Sequence, residues 1–107
     1  MPITYPIDGQ QYRIALTGYA TPIQLNGAAC KSVVLAANQA IAGLSGGAST
    51  DNAGTVLVGV GAAPVVTTQY VGIPLFPSAI QEIVVTDASK IWVAGLVGDY
   101  VVVTILN

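Results

Sequence analysis

Residues 82–107 read E-I-V-V-T-D-A-S-K-I-W-V-A-G-L-V-G-D-Y-V-V-V-T-I-L-N, and the reading of this stretch decides the fold class. Three runs rich in β-branched and aromatic residues (82–86, 90–94 and 99–106) are separated by Asp87-Ala88-Ser89 and Gly95-Leu96-Val97-Gly98. Runs of that kind with turn residues between them predict strands, here a three-stranded antiparallel meander. A helical period does not fit, because Ile83, Val85, Ile91 and Val93 alternate with Glu82, Thr86, Lys90 and Trp92. In the last run Val101, Val103 and Ile105 fall on one face, and Tyr100, Val102 and Leu106 on the other. Apolar residues on both faces predict a strand covered on both sides. A chain of 107 residues has little material for a second cover, so a neighbouring subunit is expected to supply part of it.

Upstream, the same pattern repeats in shorter pieces. Residues 55–61 (T-V-L-V-G-V-G) predict a strand with Val56, Val58 and Val60 on one face, and Gly59 on the other marks a bulge or a close backbone approach. Residues 65–71 predict another strand. Residues 72–77 (G-I-P-L-F-P) predict an extended connection, since a residue before proline is held out of the helical region. Residues 21–26 alternate Ile23 and Leu25 with polar neighbours and end at the turn dipeptide Asn26-Gly27. Residues 30–37 follow as a strand on the strength of Val33 and Val34, although the alanine-rich span 28–44 also admits a helix. The Gly-, Ala-, Ser- and Asn-rich residues 38–52 predict a long surface loop, a length usually tied to function or mobility.

Residues 1–20 are expected to form an N-terminal arm, leaving 21–107 as the folded domain. The arm carries Pro2, Pro6, an Asp8-Gly9 turn and three of the five tyrosines, Tyr5, Tyr12 and Tyr19. Tyrosine offers large contact area at low entropic cost, which suits a segment docking on a partner. Residues 11–17 equally admit a short edge strand of the chain's own sheet. Seven or eight short strands with turns between them predict an all-β fold, an antiparallel β-sandwich of jelly-roll type.

Composition narrows the function. Charged residues make up 7%, against roughly 25% in ordinary soluble domains. Three Lys and Arg residues supply no basic stripe for phosphates, which excludes nucleic acid and an electrostatic membrane contact. The mean hydropathy of +0.71 raises the question of a membrane span. Pro64, Pro74, Pro77 and several glycines break every apolar run before it reaches spanning length. The first six residues, M-P-I-T-Y-P, have neither the basic nor the apolar region of a signal peptide. A surface so sparing of charge suits a chain covered by neighbours.

Chemistry has few residues to use. Histidine is absent, which removes imidazole catalysis and His metal ligands; Cys30 therefore has no imidazole to activate it. The five acids are Asp8, Asp51, Glu82, Asp87 and Asp99, with no D-x-D-x-D run for calcium. Asp87 and Asp99 occupy turn positions, where an Asp side chain caps backbone. No cofactor is expected, and no enzyme. Trp92 alternates outward from Ile91 and Val93 and reads as a packing or contact residue.

The ordered set Cys30-Lys31-Ser32-Val33-Val34-Leu35, Asn52-Ala53-Gly54-Thr55-Val56-Leu57-Val58-Gly59, Gly72-Ile73-Pro74-Leu75, Lys90-Ile91-Trp92-Val93 and Gly98-Asp99-Tyr100-Val101 resembles a family of small structural proteins of tailed bacteriophage virions. The resemblance implies a β-sandwich on the outer capsid surface. It would act as a decoration (cement) protein or as part of a head or tail fibre, with the major capsid protein as partner and a homotrimer as the assembly. The expected partner contacts are Tyr5, Tyr12, Tyr19 and Trp92. The alternative is a receptor- or glycan-binding fibre module using residues 38–52, Trp92 and Tyr70.

Overall fold

In the computed structural model the described residues are 10–37, 52–65 and 71–107. They form eight strands: β1 (Gln10–Ala15), β2 (Ile23–Gln24), β3 (Ser32–Ala37), β4 (Val56–Val60), β5 (Ile73–Leu75), β6 (Ile80–Ile83), β7 (Ile91–Ala94) and β8 (Tyr100–Leu106). A 3-10 turn, Ala88–Lys90, precedes β7. The strands make two antiparallel four-stranded sheets, β1-β8-β3-β6 and β2-β7-β4-β5.

The pairing follows one rule. The outermost strands β1 and β8 pair, then β2 with β7, β3 with β6, and β4 with β5. The chain is thus a long hairpin doubled back between β4 and β5, with successive pairs laid alternately into the two sheets. Two further ladders, β3–β8 and β4–β7, close each sheet across its middle.

Alternation places the core between the sheets. Val101, Val103 and Ile105 of β8, with Val33 and Leu35 of β3, face Val56 and Val58 of β4 and Ile91 and Val93 of β7, all essentially inaccessible to solvent. Leu16, Leu25, Leu75 and Ile83 seal the ends. Each such side chain withdrawn from water contributes about 1.5–3 kcal/mol. No charged side chain belongs to this cluster.

Several expectations change. The C-terminal strands form no meander: β6 and β8 lie in one sheet with β3 between them, while β7 lies in the other. Turn spacing reports where a chain reverses but not whether the next strand stays in the same sheet. Of the two readings open for residues 11–17 the edge strand is the one seen: residues 10–15 are hydrogen-bonded along β8, from Gln10 opposite Ile105 to Ala15 opposite Tyr100, and residues 1–9 lie outside the described residues. Residues 32–37 are strand, settling the helix alternative for that part of 28–44. The proline-bracketed connection contains a strand, β5, with Pro74 at its centre. It is tolerated because β5 is an edge, where a missing N–H costs no ladder bond. Of the strand expected at 65–71 only a bridge between Val65 and Val71 is seen, residues 66–70 lying outside the described residues.

Candidate functional site

The outer face of the β1-β8-β3-β6 sheet is the candidate. Cross-strand register puts Ala15 beside Tyr100; Arg13, Val102, Ala36 and Ile80 in the next row; and Gln11, Thr104, Val34 and Glu82 in the row after. Directly opposed residues of an antiparallel ladder share a face. The two rows nearer Tyr100 are mostly apolar where a solvated sheet would be polar, whereas the third carries three polar residues of four. Val102, Val34, Ala36 and Leu106 are half-buried by their neighbours, but Ile80 is 70% exposed and Val84, just past β6, is 83% exposed. The double-sided apolar pattern of β8 thus corresponds to one buried face and one half-buried face at the centre of an apolar patch.

Two charges stand on this patch among the described residues, one at each edge. The Arg13 guanidinium lies over the Tyr100 ring, 4.3 Å from its centroid, a cation–π arrangement. Glu82, on the opposite edge strand, accepts a hydrogen bond from the Ser32 hydroxyl at 2.8 Å. Gln11 donates to the Thr104 hydroxyl at 3.1 Å between them. Sequence reading passed over Arg13, Ile80, Glu82 and Val84, because their significance lies in the order of strands across the sheet. The one signal available was Arg13 between the apolar Tyr12 and Ile14 of β1.

The residues expected to make partner contacts do not gather in one place. Tyr5 lies outside the described residues, as do Tyr70 and residues 38–51 of the alternative site. Tyr12 opposes the buried Val103 and packs against the core from β1. Its hydroxyl is buried with no hydrogen-bond partner, and burial raises its pKa above the ordinary phenol value. The Tyr19 hydroxyl donates to the Thr55 carbonyl at 2.5 Å. Trp92 is half-buried on the outer face of the second sheet, opposite Gly59 and beside Gln24.

Asp99, Asp87 and Cys30 serve the fold. Buried Asp99 accepts from the amides of Ala53 and Gly54 at 2.8 and 2.9 Å. The Asn52 side chain completes this clamp, donating to the Tyr100 carbonyl at 2.8 Å and accepting from the Tyr100 amide at 2.9 Å. Asp99 therefore holds a distant turn rather than capping its own. Asp87 does cap locally, accepting from the Ser89 amide at 2.9 Å, and also from the Ala28 amide at 3.3 Å. The Ser89 amide and hydroxyl hold its carboxyl below the usual carboxylate range. Cys30 donates to the Val85 carbonyl at 3.3 Å, and desolvation, then the charge of Asp87, push its thiol pKa up. That is the opposite of an activated thiolate. Among the described residues no cluster of His, Cys, Asp and Glu is placed to hold a metal. An open groove of about 330 Å³ between the end of β4 and the start of β5 is lined by Val58, Val60, Ala62, Ala63, Val71 and Ile73 and presents no ionisable group among the described residues.

Comparison of the chain with protein-family models, with curated proteins and with solved structures finds no match.

Proposed function

We propose that the chain is a non-enzymatic virion structural protein of jelly-roll architecture, a decoration protein of the outer capsid surface that bridges neighbouring copies of the major capsid protein. The observation that carries this reading is the strand order. Eight strands in two four-stranded sheets, paired outermost with outermost, is the arrangement that viral capsid and lectin domains share. The near-absence of charge and the apolar outer face support a protein used in contact with neighbours.

Such a protein works by mass action. A copy that binds only the assembled lattice stabilises it by RT ln(1 + [L]/Kd), so rupture must first break those contacts. With 7% charged residues the contacts are mainly apolar and depend weakly on salt. Tyr5 and Trp92 are the capsid contacts to test, since Tyr12 and Tyr19 are engaged within the chain.

The test is to add the purified protein to capsids lacking it and sediment the mixture through a gradient. Saturable co-sedimentation and a higher rupture temperature are expected; capsids that bind none of the chain overturn the proposal. A second reading, a glycan-binding fibre module, draws on the same strand order and on Trp92 lying on an outer face. Binding on a glycan array that Trp92→Ala abolishes would put that reading first.

A further inference from the structure

The geometry points to a symmetric pair of copies joined through the outer faces of their β1-β8-β3-β6 sheets, with Arg13 of each copy set against Glu82 of the other. A second copy is the occupant that the charges select. Arg13 is on one edge strand and Glu82 on the other, about 14 Å apart across three strand spacings of about 4.8 Å. Arg13 shares its row with Ile80, and Glu82 is one row further along, an offset of about 7 Å. No other charged residue occupies these rows among the described residues.

A two-fold axis in the contact plane, running parallel to the strands between β8 and β3, lays β1 of one copy over β6 of the other. Each Arg13 then sits above Ile80 of the second copy, with Glu82 of that copy one row away and within reach of a guanidinium swinging off the Tyr100 ring. The operation acts twice, so both pairs form together, as an isologous contact requires. A two-fold axis across the strands instead stacks β1 on β1 and leaves both charges unpaired. Exposed Ile80 and Val84, at 70% and 83%, would lose their water contact, and aligned sheets cross at about −30°, which this axis permits.

The size of the face sets the strength. Four strands about 4.8 Å apart and about six residues long present roughly 400 Å² per copy, about 800 Å² in all, which is the size of a weak, transient contact. The pair is therefore reversible and depends on concentration. The closed assembly is two copies, in place of the trimer expected from the phage resemblance. The inference stands apart from the virion reading, because it concerns copies of this chain alone in solution.

Sedimentation-velocity ultracentrifugation of the full chain over a concentration series tests it, beside the variants R13E, E82R and the double exchange. The expected result is a monomer–dimer equilibrium that either single exchange weakens by about tenfold or more and the double exchange restores. Thermal melts of the same samples check that each variant is folded. A wild-type chain that stays monomeric, or a dimer unmoved by the single exchanges, overturns the proposal. So does failure of the double exchange to restore pairing in a folded protein. Loss of capsid binding with the dimer intact would count against the virion reading only.

Discussion

At the scale of single residues, the polar groups that sequence reading treated alike have different reach. Asp87 and Asp99 both sit beside turns, and only the structure separates the local cap from the long-range clamp. Removing the Asp99 carboxylate by Asp99→Ala leaves two part-buried amides, those of Ala53 and Gly54, without their acceptor. A fully buried orphaned donor costs about 1–3 kcal/mol; these two keep some access to water, so a combined loss of about 2–4 kcal/mol is expected, read as a fall of about 10 °C or more in melting temperature. Asp99→Asn keeps one acceptor oxygen and should fall between. Asp87 predicts a pH effect. Its folded-state pKa lies below the unfolded value, held there first by the Ser89 amide and hydroxyl. Its contribution is therefore present above the unfolded pKa of about 3.9 and is lost as pH falls through the lower folded value. Melting temperatures of wild type and Asp87→Ala should differ near pH 6 and converge in strong acid; curves that run parallel to pH 2 would refute the assignment. Alternation made the inward and outward sides of β7 and β8 legible in advance. The pairing of Asn52 with Tyr100 was not, because a hydrogen bond spanning half the chain leaves no local pattern.

At the scale of elements, β1 and the turn after β4 bear the sharpest consequences. Sequence reading left residues 11–17 open between a docking arm and an edge strand; residues 10–15 complete the ladder on β8 and bring Tyr12 and Ile14 against the core. Deleting residues 1–15 should therefore abolish cooperative unfolding or drive aggregation through the bared edge of β8, as circular dichroism melts and light scattering would report. A truncated chain that melts cooperatively at the wild-type temperature would contradict this role for β1. After β4 the backbone folds back over Gly59. A Cβ there would collide with the Ala62 carbonyl oxygen and lie 2.8 Å from the Pro64 ring. Gly59→Ala is expected to cost about 1–3 kcal/mol through forced backbone movement. At neighbouring Gly61, φ is +80° and nothing stands within 4 Å, so Gly61→Ala should cost only about 1–2 kcal/mol of left-handed strain. Chemical denaturation of the two variants side by side ranks them. Strand identity was legible for β1, β3, β4, β7 and β8 from β-branched runs and alternation. β5 was hidden by Pro74, and β6 was placed late because the apolar residues 83–85 continue past the point where pairing with β3 stops. Which strands are neighbours was not legible, since two sheets draw alternately on one chain and period-2 patterning says nothing of the sheet a strand joins.

At the scale of the whole molecule, the nested pairing predicts an order of assembly. The β4–β5 pair closes residues 61–72, whereas the β1–β8 pair closes residues 16–99. Loop closure costs about 0.6 kcal/mol for each doubling of length. The outermost pair, made alone, is therefore disfavoured by about 1.7 kcal/mol relative to the innermost. Once β4 and β5 are joined, each next pair has only a short remaining gap to close, so the hairpin zips from its bend towards its ends. The transition state should contain the β4–β5 pair with the next pair out, β3 and β6, and β1 should dock last. Leu75→Ala, at a buried position on β5, is then expected to slow folding with little change in unfolding rate. Ile14→Ala on β1 should speed unfolding and leave folding nearly unchanged. Stopped-flow chevrons of the two variants decide it, provided each costs more than about 0.6 kcal/mol at equilibrium. Refolding itself should fall in the millisecond-to-second range of β-sandwiches, because few ladders are local. If Ile14→Ala slows folding as much as Leu75→Ala, the ends of the chain meet before the rate-limiting step. The sheets would then form by collapse around β8, the strand held between β1 and β3, rather than by zipping from the bend.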